Sequence, residues 1–260
     1  MGRRTEYDPG TFSWVDLATS DPSAAKAFYA AVFGWAAEDQ PAGEVGTYTI
    51  LRKDGDDVAA LYRMRDDQRA AGVPPSWLCY ITVTSVDETA ERALRLGGVG
   101  LAEPFDVLQS GRMAVIRDPT GATLALWEPR AHIGAARVND PGCLCWNDLV
   151  TPVPETAEHF YEELLGWRTA EVEAGGGYRV IYNRGRSNGG MLPAALVGEG
   201  VPPHWLPYFN AGRLDDATSN VEASGGHIVA GPRQVPAGRF AVAQDPQGAS
   251  FALFEGDADD

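Results

Sequence analysis

Residues 13–17 read SWVDL, and residues 145–149 read CWNDL. In both stretches an aspartate follows a tryptophan by two positions, so the two side chains share one face of an extended strand. Trp14 and Trp146 are separated by 146 − 14 = 132 positions. Repetition at so long a period indicates that a whole domain has been duplicated.

Later motifs return in the same order. FYAAVFGW at residues 28–35 recurs as FYEELLGW at residues 160–167, which is again 160 − 28 = 132 positions further on. DPTG at residues 118–121 recurs as DPQG at residues 245–248, now at an offset of 245 − 118 = 127. A duplication followed by small loop deletions accounts for this drift.

The length of 260 residues suits two domains of about 130 residues, each large enough to bury a core. We predict a first domain at residues 1–130, a linker at residues 131–141 and a second domain at residues 142–260. The joint between the domains, residues 129–142, is rich in glycine, proline and alanine and lacks a strong hydrophobic period.

Composition restricts the partners and the compartment. The formal net charge of −15 argues against nucleic acid and against an anionic membrane surface. No stretch of 18 apolar residues is present, and three cysteines do not suit a disulfide framework. We therefore expect a cytoplasmic protein that binds a small molecule and no nucleic acid or membrane. It would be a monomer whose two domains pair internally, or a homodimer.

Each half shows the order strand, helix, strands twice. A strand at residues 11–18 leads to a helix whose N-cap is Asp21 and whose first helical position is Pro22. In the second half Val153 stands at the N-cap position, so that helix is less well capped. The predicted fold class is α+β, with this order of elements four times in all.

This order of elements, together with the FY…GW helix and the DPxG turn, resembles the vicinal oxygen chelate superfamily. That superfamily includes glyoxalases, bleomycin-resistance proteins, fosfomycin-resistance enzymes and extradiol dioxygenases. The chain is most similar to its two-domain actinobacterial type, and the resemblance covers nearly the whole sequence as two copies. It implies two glyoxalase/bleomycin-resistance-like domains, each made of two βαβββ modules (four in all) that form a cup-shaped mixed sheet. Where such proteins bind a metal, inward-pointing His and Glu side chains hold it.

The resemblance also implies where metal ligands would stand. A histidine is expected on the first strand, seven residues before the helix, and a second ligand on the strand that begins near residue 77. A glutamate is expected seven residues after the glycine of the DPxG turn. The corresponding residues are Trp14, Leu78 and Glu128 in the first half and Trp146, Leu206 and Glu255 in the second.

An indole has no free lone pair on its nitrogen and only donates a hydrogen bond, so it does not coordinate a cation. Zinc and similar metals want three or four nitrogen, oxygen or sulfur ligands. We therefore expect no metal and no other cofactor.

The favoured interpretation is metal-independent binding of a small aromatic or natural-product-like molecule, in antibiotic resistance or as an accessory in biosynthetic tailoring. Tryptophan offers a flat face for stacking, and a buried carboxylate accepts a hydrogen bond. The predicted ligand-binding residues are Trp14, Asp16, Leu78 and Glu128 in the first cup and Trp146, Asp148, Leu206 and Glu255 in the second.

Several alternatives remain open from the sequence. One is an enzyme of lyase, isomerase or cyclase type that uses Asp16 or Glu128 as its acid or base. A metal-dependent glyoxalase or dioxygenase is less favoured. A purely structural alternative makes the tryptophans core plugs and leaves the carboxylates to bond with the protein itself. The loops of the halves differ, so the cups need not share a ligand, and the second cup could have become a scaffold only.

Overall fold

The computed structural model describes residues 2–43, 46–173, 175–193 and 200–257. The elements of the first half are β1 (Phe12–Thr19), α1 (Pro22–Phe33), β2 (Ala36–Pro41), β3 (Thr47–Lys53), β4 (Asp56–Arg63), α2 (Asp66–Ala70), β5 (Ser76–Thr82), α3 (Val86–Arg95), β6 (Val99–Val107), β7 (Gly111–Arg117) and β8 (Thr123–Pro129). Those of the second half are β9 (Leu144–Thr151), α4 (Pro154–Leu165), β10 (Arg168–Glu171), β11 (Arg179–Asn183), β12 (Arg186–Pro193), β13 (His204–Asn210), α5 (Leu214–Ala223), β14 (His227–Val235), β15 (Gly238–Gln244) and β16 (Ser250–Gly256).

Within the described residues each half forms one mixed sheet of eight strands. The strand order is β2-β3-β4-β1-β5-β8-β7-β6 in the first half and β10-β11-β12-β9-β13-β16-β15-β14 in the second. The two βαβββ modules of a half meet where β1 pairs antiparallel with β5, or β9 with β13. The predicted α+β class and the tandem modules are confirmed.

The sequence patterns did not locate three elements of the first half, although a βαβββ module implies a strand after each of its helices. The edge strands β2 and β6 and the short helix α2 are largely exposed on all sides, so their residues show no alternation of apolar and polar positions. Backbone pairing with a neighbouring strand decides β2 and β6, and a single sequence does not display that pairing.

The first helix begins and ends as its residues predict. The Asp21 side chain accepts hydrogen bonds from the backbone N–H groups of Ser23 and Ala24, and Gly34 ends the helix in the left-handed region at φ 70°. Val153 makes no such side-chain bond at the start of α4. None of the described helices is long and apolar enough to cross a membrane.

The largest hydrophobic core lies between the halves and is shared by them, because the helix-bearing faces of the two sheets pack toward each other. The tryptophans of the two GW motifs link the halves by reciprocal hydrogen bonds. The Trp35 indole donates to the backbone carbonyl of Gly142 at 2.7 Å, and the Trp167 indole donates to that of Gly10 at 2.8 Å.

A buried chain of hydrogen bonds also crosses between the halves. The Trp77 indole donates to the Tyr29 hydroxyl at 3.1 Å, and that hydroxyl donates to Asp245 of the other half at 3.1 Å. Asp245 also accepts from backbone N–H groups of its own DPxG turn. The tyrosine of the FY pair is thereby fixed to the turn of the opposite domain.

The equivalent chain runs in the opposite direction. The Trp205 indole donates to the Tyr161 hydroxyl at 3.1 Å, which donates to Asp118 of the first half at 2.8 Å. The duplicated motifs therefore build a pseudo-twofold contact, in which each half supplies one tyrosine and one aspartate.

We predict that Tyr29→Phe destabilises the protein by about 1–3 kcal/mol, because it leaves a buried Asp245 oxygen and the Trp77 indole N–H without this partner. Urea unfolding followed by circular dichroism measures the change. Tyr182→Phe in β11, at a half-buried position, serves as the control. Equal unfolding free energies for Tyr29→Phe and wild type would contradict the assigned role.

Candidate functional site

Each sheet has a second apolar face, turned away from the shared core. We name these faces the first cup and the second cup. Residues of the first cup include Trp14, Asp16, Tyr48, Leu78, Tyr80, Met113, Ala125 and Trp127. Residues of the second cup include Trp146, Asp148, Tyr178, Leu206, Tyr208, Phe240, Ala252 and Phe254. Because the shared core packs on the helix side of both sheets, the cups point outward from the molecule.

In the first cup, Asp16 is buried among aromatic side chains. Its Oδ2 accepts hydrogen bonds from the Tyr80 hydroxyl at 2.6 Å and the Tyr48 hydroxyl at 3.2 Å. The Trp14 indole in turn donates to the Tyr48 hydroxyl at 3.1 Å. The other carboxylate oxygen, Oδ1, is buried and has no hydrogen-bond partner among the described residues. A ligand donor that reached it would satisfy an otherwise unpaired acceptor.

The second cup repeats the arrangement with more bonds to the carboxylate. Asp148 Oδ1 accepts from the Trp146 indole and from the Tyr178 hydroxyl, both at 2.9 Å. Its Oδ2 accepts from the Tyr208 hydroxyl at 2.7 Å. Both carboxylate oxygens of Asp148 are therefore bonded within the protein.

Gly190 makes room for this closer network. It pairs with Asp148 across β12 and β9, and a side chain there would collide with the Tyr178 hydroxyl and the Asp148 carboxylate. The equivalent residue opposite Asp16 is Ala60. The sequence difference between the halves thus changes how tightly tyrosine approaches the carboxylate.

Burial shifts the ionisation of both carboxyl groups. Desolvation raises the pKa of Asp16 to about 7, although the hydrogen bonds from Tyr80 and Tyr48 act in the opposite direction. Desolvation likewise raises the pKa of Asp148, against the bonds from its two tyrosines and Trp146. A carboxyl group that titrates near neutral pH suits proton transfer.

Glu128 and Glu255 do not point into the cups, so the expectation that they bind a ligand there is wrong. Side chains alternate along a strand, and Glu128 lies on the helix side of β8, where it accepts a hydrogen bond from the Val86 N–H at 3.0 Å. Glu255 accepts from the Leu214 N–H at 2.7 Å. Each glutamate holds the N-terminus of a helix, where its charge complements the helix dipole.

Leu78 and Leu206 lie in the cups as expected. They stand beside the aspartates, since Asp16 pairs with Leu78 and Asp148 with Leu206. The next residue on the same face is a tyrosine, Tyr80 in the first half and Tyr208 in the second.

Sequence reasoning did not identify the four tyrosines that bond to the aspartates. Two of them could have been found, because Tyr80 and Tyr208 lie two positions after residues already placed in the cups and therefore share their face. Tyr48 in β3 and Tyr178, immediately before β11, reach the aspartates across the intervening strands β4 and β12. No local spacing links those strands to the first strand.

The residues of the cups do not fit a divalent metal. No group of three or more His, Cys, Asp or Glu that could hold a metal ion occurs in the described part of the chain. With Glu128 and Glu255 on the opposite faces, each cup offers one carboxylate amid phenol and indole donors. Such a site lacks the three or four ligands that these metals require.

The predicted linker packs onto the first sheet and covers the first cup. The Ala135 N–H donates to the Ser13 carbonyl and the Ala136 N–H to the Asp57 carbonyl, each at 2.7 Å. Ala135 and Val138 are buried in the apolar cluster of the cup. We name residues 132–138 the covering segment.

Aromatic side chains complete this cover. The His132 ring meets the Trp14 indole edge to face, with ring centroids 4.6 Å apart. The Tyr7 hydroxyl donates to the Ala135 carbonyl at 2.7 Å, and the Trp127 indole donates to the His132 carbonyl at 3.0 Å. As a result Trp14 is only 3% exposed.

Two surface clefts of about 370 and 400 Å³ lie outside both cups. They border contacts between the halves. One is lined by Leu96, Pro119, Glu155, Thr156, His159 and Phe160. The other includes Pro9, Gly10, Ser85, Leu165 and Arg184. Neither contains a cup aspartate.

The family model for the glyoxalase/bleomycin resistance protein/dioxygenase superfamily matches residues 11–126 and 144–253. The chain belongs to this superfamily. Its two matched segments correspond to the two sheets, which confirms that the repeat in the sequence is a repeat of this domain.

Curated relatives extend over nearly the whole chain. The protein is 41% identical over 259 residues to CFP32 of Mycobacterium tuberculosis (strain CDC 1551 / Oshkosh), whose name assigns it provisionally to the glyoxylases, with 98% of each chain covered. It is 32% identical over 261 residues to the anthracycline biosynthesis protein DnrV of Streptomyces peucetius, covering 96% of this chain and 95% of the relative.

Solved structures of the superfamily share the fold at low identity. The Mn(II)-bound glyoxalase of Novosphingobium aromaticivorans matches with a TM-score of 0.66 and 18% identity, over 100% of this chain and 84% of that one. A homoprotocatechuate 2,3-dioxygenase variant from B. fuscum gives 0.66 and 16%, over 98% and 74%. At these identities the likeness shows the architecture alone.

We predict that Asp16→Asn changes how stability depends on pH. The unfolded state loses the Asp16 proton near pH 4 and the folded state near pH 7, so the wild type loses stability as pH rises between these values. The variant lacks this loss. Its unfolding free energy relative to wild type should therefore rise by about 3 kcal/mol between about pH 5 and pH 8.5.

Urea unfolding of both proteins at each pH measures this difference. The new amide is expected to change the unfolding free energy by an amount that is the same at every pH. This constant change does not test the prediction. A difference that stays the same at every pH would contradict the raised pKa of Asp16.

Proposed function

We propose that this protein binds a planar aromatic small molecule, of the class made in natural-product biosynthesis, without a divalent metal. The observation that carries the proposal is the repeated grouping of one buried carboxyl group with two tyrosines and a tryptophan. Aromatic faces bind a planar ring by stacking or edge contact, and a carboxyl group pairs with a ligand hydroxyl.

The relatives support the same class of ligand. DnrV and its counterpart DauV of Streptomyces sp. (strain C5) are named anthracycline biosynthesis proteins, and each is 32% identical to this chain. Anthracyclines contain a planar hydroxylated anthraquinone. Binding of a related molecule would serve a tailoring step, and it would serve resistance by withholding the molecule from its target.

The donor set supports metal independence. Trp14 and Trp146 stand where the superfamily resemblance implies histidines, and an indole does not coordinate a metal. Ala60 and Leu78 pair with Asp16 on the two adjacent strands, and Gly190 and Leu206 pair with Asp148, so these positions offer no metal ligand. A metal would therefore have to be held by a single aspartate in each cup, which is too few ligands.

We predict saturable binding of quinizarin, a dihydroxyanthraquinone, in the presence of EDTA. Quenching of tryptophan fluorescence measures the affinity. Added Mn²⁺ should change the affinity for quinizarin by no more than about twofold. It should also leave the melting temperature unchanged, because a metal that does not bind the folded state does not stabilise it. Loss of binding in EDTA, or a stoichiometric metal after purification without an affinity tag, would contradict the proposal.

A second candidate function is acid/base catalysis by a cup aspartate. The pKa of Asp16 near 7 and its unpaired Oδ1 favour it, because the group exchanges a proton at neutral pH and has a buried acceptor oxygen without a partner among the described residues. Asp148 has a raised pKa but no free oxygen. Glu128 lies outside the cups and is therefore not a candidate for this role.

Under this candidate the wild type converts at least one member of a panel of hydroxyanthraquinones and anthrones, as followed by mass spectrometry. Asp16→Asn should then slow conversion by roughly 10²–10⁴-fold while quinizarin still binds. Glu128→Gln, at a carboxylate on the helix side of the sheet and outside the cups, is the control. Conversion that survives Asp16→Asn would rule out Asp16 as the acid or base.

A further inference from the structure

We propose that the second cup is the ligand-binding site and that the protein's own chain occupies the first cup. The inference rests on the proposed function and assigns it to one half. It reverses the hypothesis that the second cup is only a scaffold. The evidence is a comparison of equivalent positions, which the duplication makes possible residue by residue.

The first cup shows what fills a cup of this kind. The covering segment places small apolar side chains, Ala135 and Val138, in the apolar cluster. It also sets the His132 ring against the Trp14 indole at an interplanar angle of 86°. Backbone hydrogen bonds fix the segment to Ser13 and Asp57. An aromatic ring with apolar neighbours thus already occupies the position that a bound molecule would take.

Among the described residues, the apolar cluster of the second cup draws only on strands of its own sheet, whereas that of the first cup includes residues from outside the strands. Trp146 is half-buried, in contrast to the buried Trp14. Phe240 and Phe254 on the neighbouring strands β15 and β16 are also half-buried. The aromatic surface of the second cup is therefore partly exposed to solvent.

A bulge in β9 adds one more side chain to this surface. The register shift between Leu144 and Trp146 turns Cys145 toward the second cup, where it packs beside the cluster. Simple alternation along the strand places Cys145 on the opposite face from Trp146, and the bulge overrides it. The equivalent residue in the first cup is Ser13, which bonds to Thr82.

These features define the chemical class of the ligand. Three donors bond both oxygens of Asp148, so the floor of the second cup leaves no carboxylate oxygen unpaired. The exposed parts of Trp146, Phe240 and Phe254 are apolar rings. We infer a planar aromatic ligand that places a ring against Trp146, as His132 lies against Trp14, and keeps its polar groups at the rim.

The duplication supplies matched variants for the test. Phe240 and Met113 are equivalent, since 240 − 113 = 127 equals the offset of the DPxG turns, and both are half-buried. We expect Phe240→Ala to weaken quinizarin binding by about tenfold or more, and Met113→Ala to change it by no more than about twofold. Phe240→Tyr keeps an aromatic ring and should keep most of the affinity. Thermal melting and circular dichroism of each variant confirm that it is folded.

A second measurement locates the ligand without relying on affinity. Trp146→Phe should remove a large part of the fluorescence quenching that quinizarin causes, because energy loss is strongest at the indole in contact with the ligand. Trp14→Phe should leave most of it. Both variants retain an aromatic ring at the position.

The outcomes separate this inference from the proposed function. Absence of saturable quinizarin binding to the wild type would overturn both. Binding that depends on Met113 and Trp14 as much as on Phe240 and Trp146, or more, would overturn the assignment to the second cup but leave the proposed function standing. Binding that none of the four substitutions alters would place the ligand outside the cups and overturn both.

Discussion

The reciprocal bonds of Tyr29 and Tyr161 to the opposite aspartates are the constraint on which the rest of the structure depends. Each hydroxyl receives an indole N–H from its own half and donates to a carboxylate of the other half. An aspartate buried in this way would be costly without a partner, so the two halves stabilise each other. Aromatic rings of both halves pack around these bonds to form one continuous core.

This contact leaves the outward faces of the two sheets free of the other half. Because the helix-bearing faces join the halves, we expect a ligand on the opposite faces. Glu128 and Glu255 lie on the helix-bearing faces, where each accepts a hydrogen bond from the N-terminus of a helix. In a duplicated protein of this kind, a carboxylate near the end of the last strand can therefore serve the scaffold alone.

The two cups began as copies and now differ in small, specific ways. The first has an aspartate with an unpaired oxygen beneath a cover formed by its own chain. The second has a fully bonded aspartate, made possible by the absence of a side chain at Gly190, and more accessible aromatic rings. Both changes alter the floor or the entrance of the cup and leave the sheet order intact. Such divergence allows one half to gain or keep a ligand while the other provides structure.

Much of the fold could be predicted from the sequence alone. The repeat offset, the Asp21 and Pro22 helix start and the alternation in SWVDL depend on local chemistry, and local chemistry is visible in one dimension. The same alternation placed Trp14, Asp16, Trp146 and Asp148 on the cup faces. Edge strands β2 and β6 were missed because pairing with a neighbour, and not their own residues, decides them.

The tertiary structure decided the details of the site. Tyr48 and Tyr178 reach the aspartates across strands that are distant in sequence. The side of the sheet on which Glu128 lies could not be predicted, because a shift of the strand by one residue moves a side chain to the opposite face. The covering segment looked like a linker, because alanine and glycine give no sign of what they pack against. The sequence by itself determined the duplicated domain and its paired tryptophan and aspartate, whereas only the packing of the chain decided that residues 132–138 cover the first cup and that Trp146 is less buried than Trp14.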